Sequence, residues 1–398
     1  MFEYIFSNRF LQGIIVLNII LPISSLAYAE PVHIPSLLLS LHVEGDPFNV
    51  WFDKGRILYK QMAYKEAAEA FSNISKTAGP APQDIIDETM YLRANSLMKI
   101  GNYAEALRVA DSIPNKSFFY PFSLYTKSLI SLDTGKENEA IEYLEQVSKN
   151  IRSDQQAKDK QTQLIEGLAL RANITLGFIY LGGDKPGEAI RHFSAVPKDS
   201  PFYEQALFGM GWAYTSMDRW VRSVVFWEEL SYLYPESAYT REVIPYIGYA
   251  YTKLNAYGKA LEQNGIALYY YEGLMKKIPL LKEEIKQKNV ERITYAINLA
   301  GNKELMTELD SYKGLLAMEE YLGQVSAGVT FDAVALIKNS RKVREEIMED
   351  ISRKVTENLD RLQDQLLESA VNTSLEIARN LRLEGGGQIS SDMVFDAQ

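Results

Sequence analysis

The chain has 398 residues, which exceeds one small domain and suits two helical regions or one elongated array. Its apolar share of 46% is typical of a folded protein and argues against a chain that is disordered throughout. A net charge of −10 argues against a general nucleic-acid binder, which needs a basic face, so no nucleic-acid partner is expected.

The first 29 residues have the pattern of a secretion signal. Arg9 lies in a short polar start, residues 13–21 (GIIVLNIIL) form an apolar run, and residues 27–29 (AYA) supply the small residues that signal peptidase accepts. The apolar run is shorter than the roughly 20 residues of a spanning helix, and Pro22 follows it. We therefore expect cleavage before Glu30, with retention as an uncleaved anchor as the alternative.

The rest of the chain is expected to lie in the periplasm. It contains no cysteine, which excludes a lipid-modified N-terminus and a disulfide framework. No segment after the signal reads as long and apolar enough to span a bilayer, so no membrane span is expected in the mature chain.

A short sequence motif recurs in the chain after residue 29. In each copy, a turn is followed by an aromatic or polar residue and then by a small residue. Two of the steps between successive small residues, from 106 to 140 and from 189 to 223, are 34 residues long. The small residues are Ala67, Ala106, Ala140, Ala189, Ser223 and Ala260. Twelve residues before each lies a second small residue, namely Gly55, Ala94, Ser128, Gly177, Gly211 and Gly248. Small residues at this spacing allow the two helices of a pair to approach closely.

These phrases resemble the tetratricopeptide repeat family, whose period is 34 residues. The best matches are residues 176–180 (LGFIY) and 210–214 (MGWAY), and Trp51 with Gly55 has the family's spacing in the first repeat. The resemblance covers residues 48–273 and implies an all-α solenoid of about six helix pairs. It also implies that the first helix of each pair lines a concave groove that binds another protein.

Within the array, a longer duplication relates two pairs of repeats. Residues 113–120 (IPNKSFFY) are similar to residues 196–203 (VPKDSPFY) at an offset of 83, which also separates Ala106 from Ala189. Repeats two and three are therefore interpreted as a copy of repeats four and five.

Two positions of each first helix are expected in the groove, and both are counted from its small residue. One is the residue directly after the small residue, as the resemblance implies, and the other is the residue three before the small residue. These positions are aromatic mainly in the later half of the array. We expect partner binding by Phe178, Phe208, Trp212 and Tyr249, with Tyr91 and Tyr125 earlier in the chain. The alternative is that a tight superhelix or the C-terminal helices already cover these rings.

The 34-residue pattern fades after residue 273. Residues 274–328 are expected to form a helical cap, because the end of an array needs a polar outer surface. Residues 329–384 contain no Gly or Pro and predict a long amphipathic helical region. Its apolar residues recur mostly every four positions, which does not support a heptad coiled coil.

The region 329–384 is either an arm for self-association or partner docking, or a hairpin folded back on the array. Residues 30–47 form an N-terminal segment and residues 385–398 a flexible tail.

No motif in the sequence predicts catalysis. His33 and His42 lie near the mature N-terminus, outside the repeats, and His192 lies on a second repeat helix. No cysteine exists to complete a metal site, so neither a metal nor another cofactor is expected. No nucleophile elbow or phosphate loop is present. The expected function is therefore a non-enzymatic, exported scaffold that binds a protein or peptide partner of an envelope complex. The alternative is a glycan- or peptidoglycan-associated envelope protein, with weak enzyme activity at most.

Overall fold

The computed structural model describes residues 47–60, 63–74, 82–149, 160–325 and 331–385, and these contain fifteen α-helices and no strand. The expected all-α class is confirmed. The expected signal, most of the segment 30–47, and residues 386–398 of the tail lie outside the described residues. The first six helices are α1 Pro47–Lys60, α2 Tyr64–Ile74, α3 Gln83–Lys99, α4 Tyr103–Asp111, α5 Tyr120–Asp133 and α6 Glu137–Ser148. Next come α7 Lys160–Gly182, α8 Pro186–Ser194, α9 Tyr203–Thr215, α10 Trp220–Leu233, α11 Ala238–Lys253 and α12 Tyr257–Lys286. The last three are α13 Val290–Ala300, α14 Lys303–Val325 and α15 Phe331–Glu384.

Helices α1 to α12 form the six expected pairs, and the small residues lie where the two helices of a pair meet. All six small residues of the second helices are fully buried. A Cβ atom added at Gly55, Gly177 or Gly211 would overlap the ring of Phe71, Phe193 or Trp227, respectively. Each glycine therefore makes room for a large ring from the second helix of its own pair.

Two pairs use a different combination of sizes at this contact. Ala94 and Ser128 replace the glycine, and the residues at the second-helix position are Ala110 and Leu144, which are smaller than Phe or Trp. Compared with the pairs that contain glycine, the side chain on the first helix is larger and the side chain on the second helix is smaller. The total volume at the contact is thus kept similar, as close packing requires. This accounts for Ala110, which departs from the large apolar residue found in most repeats.

The described residues divide into two compact units, 1–176 with 303–351 and 177–302 with 352–398. In the first unit, Phe52, Leu58 and Phe71 of the first pair share a core with Leu315 of α14. Val343 and Ile347 of α15 pack against the same core. The first pair is therefore closed by helices from the C-terminal part of the chain.

A buried carboxylate fixes α14 to α15 within this unit. Glu319 is 8% exposed and pairs with Arg344 at 3.1 Å. Ser340 Oγ donates to the same carboxylate at 2.9 Å, and Arg344 also donates to the Tyr312 hydroxyl at 3.1 Å. These hydrogen bonds satisfy a charge that would otherwise be costly to bury.

In the second unit, α13 covers the end of the last pair. Asn289 caps its first turn by accepting hydrogen bonds from the backbone N–H groups of Glu291 and Arg292, at 2.9 and 3.1 Å. Gly301 ends the helix in the left-handed conformation at φ 72°. Arg241 of α11 donates to the Leu299 carbonyl at 2.7 Å, which ties α13 to the array. The expected boundary between array and cap at residue 273 falls inside α12.

The C-terminal half of α15 packs on α11 and α12 of the same unit. Thr252 Oγ1 donates to Asn380 Oδ1 at 2.8 Å, and Lys282 forms an ion pair with Asp360. The buried residues include Leu359, Leu366, Thr373 and Asn380, which recur every seven positions. These contacts show that this half of α15 packs on the array, but α15 is one continuous helix and not the expected hairpin. Ile351, Val355 and Leu359 are also buried and recur every four positions, so the structure does not contradict the argument against a regular heptad.

One described segment, residues 161–182 within α7, is long and apolar enough to cross a membrane by composition alone, with a mean hydropathy of 1.4. The expectation that no segment after the signal would pass this test is therefore wrong. The test is weak evidence for a span, because 61% of its 18-residue apolar window is buried within the protein, as in a core helix.

Candidate partner-binding face

The aromatic rings expected in the later half of the groove are buried. Phe178, Phe208, Trp212 and Tyr249 are 0%, 1%, 3% and 4% exposed. The burial agrees with the alternative in which the protein already covers these rings, and their role in binding a partner stays a prediction.

The physical reason is that other rings of the same unit cover them. Trp212 meets Trp227 edge-on at 5.1 Å and Tyr246 at 4.8 Å between ring centroids. Phe208 lies 4.9 Å from Tyr239 of the following first helix. Aromatic residues on successive first helices therefore pack against one another, and sequence position alone does not show which of them remain exposed.

A group of half-buried rings in mutual contact lies in the earlier half of the array. Tyr91 stacks on Phe119 at 5.5 Å with an interplanar angle of 21°, and meets Phe122 edge-on at 5.6 Å. Phe118 lies 5.0 Å from Phe119 and 5.4 Å from Phe122. All four rings are partly exposed. We call Tyr91, Phe118, Phe119 and Phe122 the aromatic cluster. Tyr125, the other expected residue of this half, is only 7% exposed.

A short turn before α5 positions three of these rings. Ser117 Oγ accepts a hydrogen bond from the Phe119 N–H at 3.1 Å, and the Ser117 carbonyl accepts one from the Tyr120 N–H at 3.1 Å. Pro121 then lies in the first turn of α5, where its missing N–H has no cost. Phe118 and Phe119 are thereby held beside Phe122 on the first turn of the helix.

The duplicated copy shows that this turn does not require an aromatic cluster. At an offset of 83, Ser200 makes the same hydrogen bonds to Phe202 and Tyr203, at 3.1 and 3.0 Å. The residues equivalent to the aromatic cluster, however, are Ile174, Pro201, Phe202 and Gln205, so that only one of four is aromatic. The turn hydrogen bonds are therefore made without the other three rings.

The surroundings of the aromatic cluster are polar and of mixed charge. Asn95 Nδ2 donates to the Tyr91 hydroxyl at 3.3 Å, and Arg56 lies 3.6 Å from Glu88. Burial raises the pKa of Tyr91 and of Tyr125, and the charge of Arg171 opposes this rise at both hydroxyls. Both tyrosines are therefore neutral hydrogen-bonding groups at pH 7.

Sequence reasoning missed Phe118, Phe119 and Phe122 because it considered only two positions of each first helix. Phe118 and Phe119 precede α5, and Phe122 lies six residues before Ser128, one turn earlier than the positions considered. The signal that could have identified them is the run FFYPF at residues 118–122, read against PFYEQ at the duplicated positions 201–205.

The described residues hold no group of three or more histidine, aspartate and glutamate side chains that could bind a metal ion. His192 is 2% exposed and stacks on Tyr180 at 5.4 Å with an interplanar angle of 11°, so it is a packed core residue. His33 and His42 lie outside the described residues.

A family model supports the repeat interpretation for one part of the chain. Residues 205–237, which cover most of α9 and all of α10, match the model of a tetratricopeptide repeat family. Among solved structures, the C-terminal part of a TPR repeat-containing protein from Cytophaga hutchinsonii is similar at 16% sequence identity, with a TM-score of 0.42. The match covers 72% of this chain and 98% of that one. A search of curated proteins finds no match. Residues 205–237 therefore form a tetratricopeptide repeat, and this chain is a protein that contains that repeat.

Proposed function

We propose that this protein is a scaffold that binds a segment of another protein at the aromatic cluster. The observation that carries the proposal is the set of half-buried rings at Tyr91, Phe118 and Phe122, where the duplicated copy has Ile174, Pro201 and Gln205. Rings with low side-chain entropy and large area are the usual anchors of protein interfaces. Tetratricopeptide repeats are protein-interaction modules, which supports the general class of partner.

The partner is proposed to be a protein of the bacterial envelope. Support comes from the sequence alone, in which a secretion-signal pattern at residues 1–29 precedes a repeat array without a catalytic motif. Cleavage before Glu30 places the mature protein in the periplasm in this proposal.

A glycan is the second candidate ligand, because ring faces also stack on sugars. The parallel stacking of Tyr91 on Phe119, beside the Asn95 amide, is the observation that favours it. Affinity purification distinguishes the two candidate ligands, because the protein would retain either a partner protein or a glycan.

The test is affinity purification from a periplasmic extract with the wild-type protein and with a Tyr91→Ile, Phe122→Gln double variant. Both replacements are the residues found at the duplicated positions, so folding is expected to be preserved. Loss of two anchors is expected to weaken partner retention by ~100-fold or more, since each central anchor contributes about 2 kcal/mol.

Phe202→Ala provides the matched control, because Phe202 follows the equivalent turn of the second copy. It should retain the same proteins as the wild type. Equal recovery of protein partners by the double variant would contradict the proposed site, and recovery of glycan without any stoichiometric protein would favour the second candidate.

A further inference from the structure

The outward face of α15 changes from charged to apolar along its length. Arg353, Glu357 and Arg361 are exposed on this face near the middle of the helix, and Arg353 pairs with Glu357 at 2.8 Å. Beyond them, Leu367, Val371 and Leu375 are 58%, 53% and 64% exposed. We call Leu367, Val371 and Leu375 the apolar stripe. Their spacing of four residues places them on one side of the helix.

The stripe is separate from the face by which α15 packs on its own unit. Leu362, Leu366 and Thr373 are at most 4% exposed and belong to the buried face. Leu367 follows Leu366 directly, and a step of one residue turns the side chain by about 100° around the helix. Packing within the unit thus covers one face of α15, whereas the apolar stripe on another face is exposed to solvent.

Opposite charges stand at the two ends of the stripe. Asp364 lies three residues before Leu367, and Arg382 lies seven residues after Leu375. Asp364 and Arg382 are eighteen residues apart, which is five helical turns, so both lie on the side of the stripe. Both are exposed, and neither forms an ion pair within the part of the chain that the structure describes.

We propose that the stripe is an interface with a second copy of this chain, in which the two α15 helices pair antiparallel. A twofold axis near residue 373 places Asp364 of each copy opposite Arg382 of the other, and Val371 opposite Leu375. Parallel pairing would instead place Asp364 opposite Asp364 and Arg382 opposite Arg382. The positions of these two charges therefore favour a second copy of this chain as the partner, and they favour antiparallel over parallel pairing.

The size of the stripe sets the expected strength of the pairing. Five helical turns span about 27 Å at 1.5 Å per residue. Three large apolar side chains on each copy bury less than the ~800 Å² per partner of a standard interface. We therefore expect a reversible dimer with a dissociation constant in the micromolar range.

Charge reversal at the two ends gives the decisive experiment. In the Asp364→Arg variant each end of the dimer would join two arginines, and in the Arg382→Asp variant two aspartates. Each variant alone is expected to dissociate at least ~10-fold more readily than the wild type. An equimolar mixture restores both opposite-charge pairs, so it should form a heterodimer of wild-type strength. The masses are measured by size-exclusion chromatography with light scattering at ~100 μM chain, well above the expected dissociation constant.

Two further variants separate pairing from folding. Leu375→Asp should abolish the dimer while the helical circular dichroism spectrum is retained, because the side chain is 64% exposed. Tyr269→Asp, at an 81% exposed position of α12 outside the stripe, should leave the dimer unchanged. A monomeric wild type at this concentration, or a dimer that survives Leu375→Asp, would overturn the proposal. Absence of rescue in the mixture would overturn the antiparallel arrangement.

Discussion

At the scale of single residues, the rings in the later half of the array belong to the core. Trp212 is 3% exposed and touches Trp227, Tyr246 and Phe208. Trp212→Ala should therefore destabilise the fold by about 3–5 kcal/mol, the range for removing a buried aromatic side chain. Urea denaturation followed by circular dichroism measures the change. Tyr232→Ala, at a position that is 85% exposed, is the control and should stay within about 0.5 kcal/mol of the wild type. A similar small effect of Trp212→Ala would contradict the burial of this ring.

At the scale of helices, α15 offers adjacent leucines in opposite environments. Leu366 is 1% exposed and Leu367 is 58% exposed. Leu366→Ala should cost about 2–5 kcal/mol, because the lost packing leaves a cavity against the array. Leu367→Ala should change the unfolding free energy of the monomer by less than about 0.5 kcal/mol. Measurement at a chain concentration well below the expected micromolar dissociation constant keeps dimerisation out of the comparison. Equal costs at both positions would mean that α15 does not pack as the structure shows.

Helix pairing was predictable from sequence because it depends on local size patterns. Gly55 and Gly211 could be identified from spacing alone, and their role in admitting Phe71 and Trp227 follows from the approach of two helices. The path of α15 was not predictable. Its contacts with α11 and α12 join residues far apart in the sequence, since Thr252 and Asn380 are 128 residues apart and Lys282 and Asp360 are 78 apart. The aromatic cluster was only partly predictable, because Tyr91 fits the repeat pattern whereas Phe118 and Phe119 lie in the turn before a helix.

At the scale of the whole molecule, one buried carboxyl group makes stability depend on pH. Burial raises the pKa of Glu242 from 4.5 to about 7, and neighbouring Arg241 opposes the rise. Its Oε1 accepts no hydrogen bond from a described residue. Because the folded pKa lies above the unfolded one, the folded state holds the proton more tightly. The resulting stability is present below about pH 4.5 and is lost as pH rises towards 7.

Global thermal unfolding between pH 4.5 and pH 8 checks this dependence. The melting temperature of the wild type should fall across the interval by more than that of Glu242→Gln, which carries no charge at either pH. The difference between the two proteins is the informative quantity, since other groups titrate in both. Parallel curves for the two proteins would show that Glu242 is ionised without cost in the folded state.

The apolar helix α7 has a consequence for a chain that crosses a membrane before it folds. In the proposed export, the segment 161–182 passes through a translocation channel without the protein contacts that it makes in the folded state. Such a segment is a candidate to leave the channel sideways and lodge in the lipid. Arg171 lies at its midpoint, where a positive charge costs about 2.5–3.5 kcal/mol in a membrane helix. The residue that borders Tyr91 and Tyr125 in the folded protein would thus also favour complete passage of the unfolded chain.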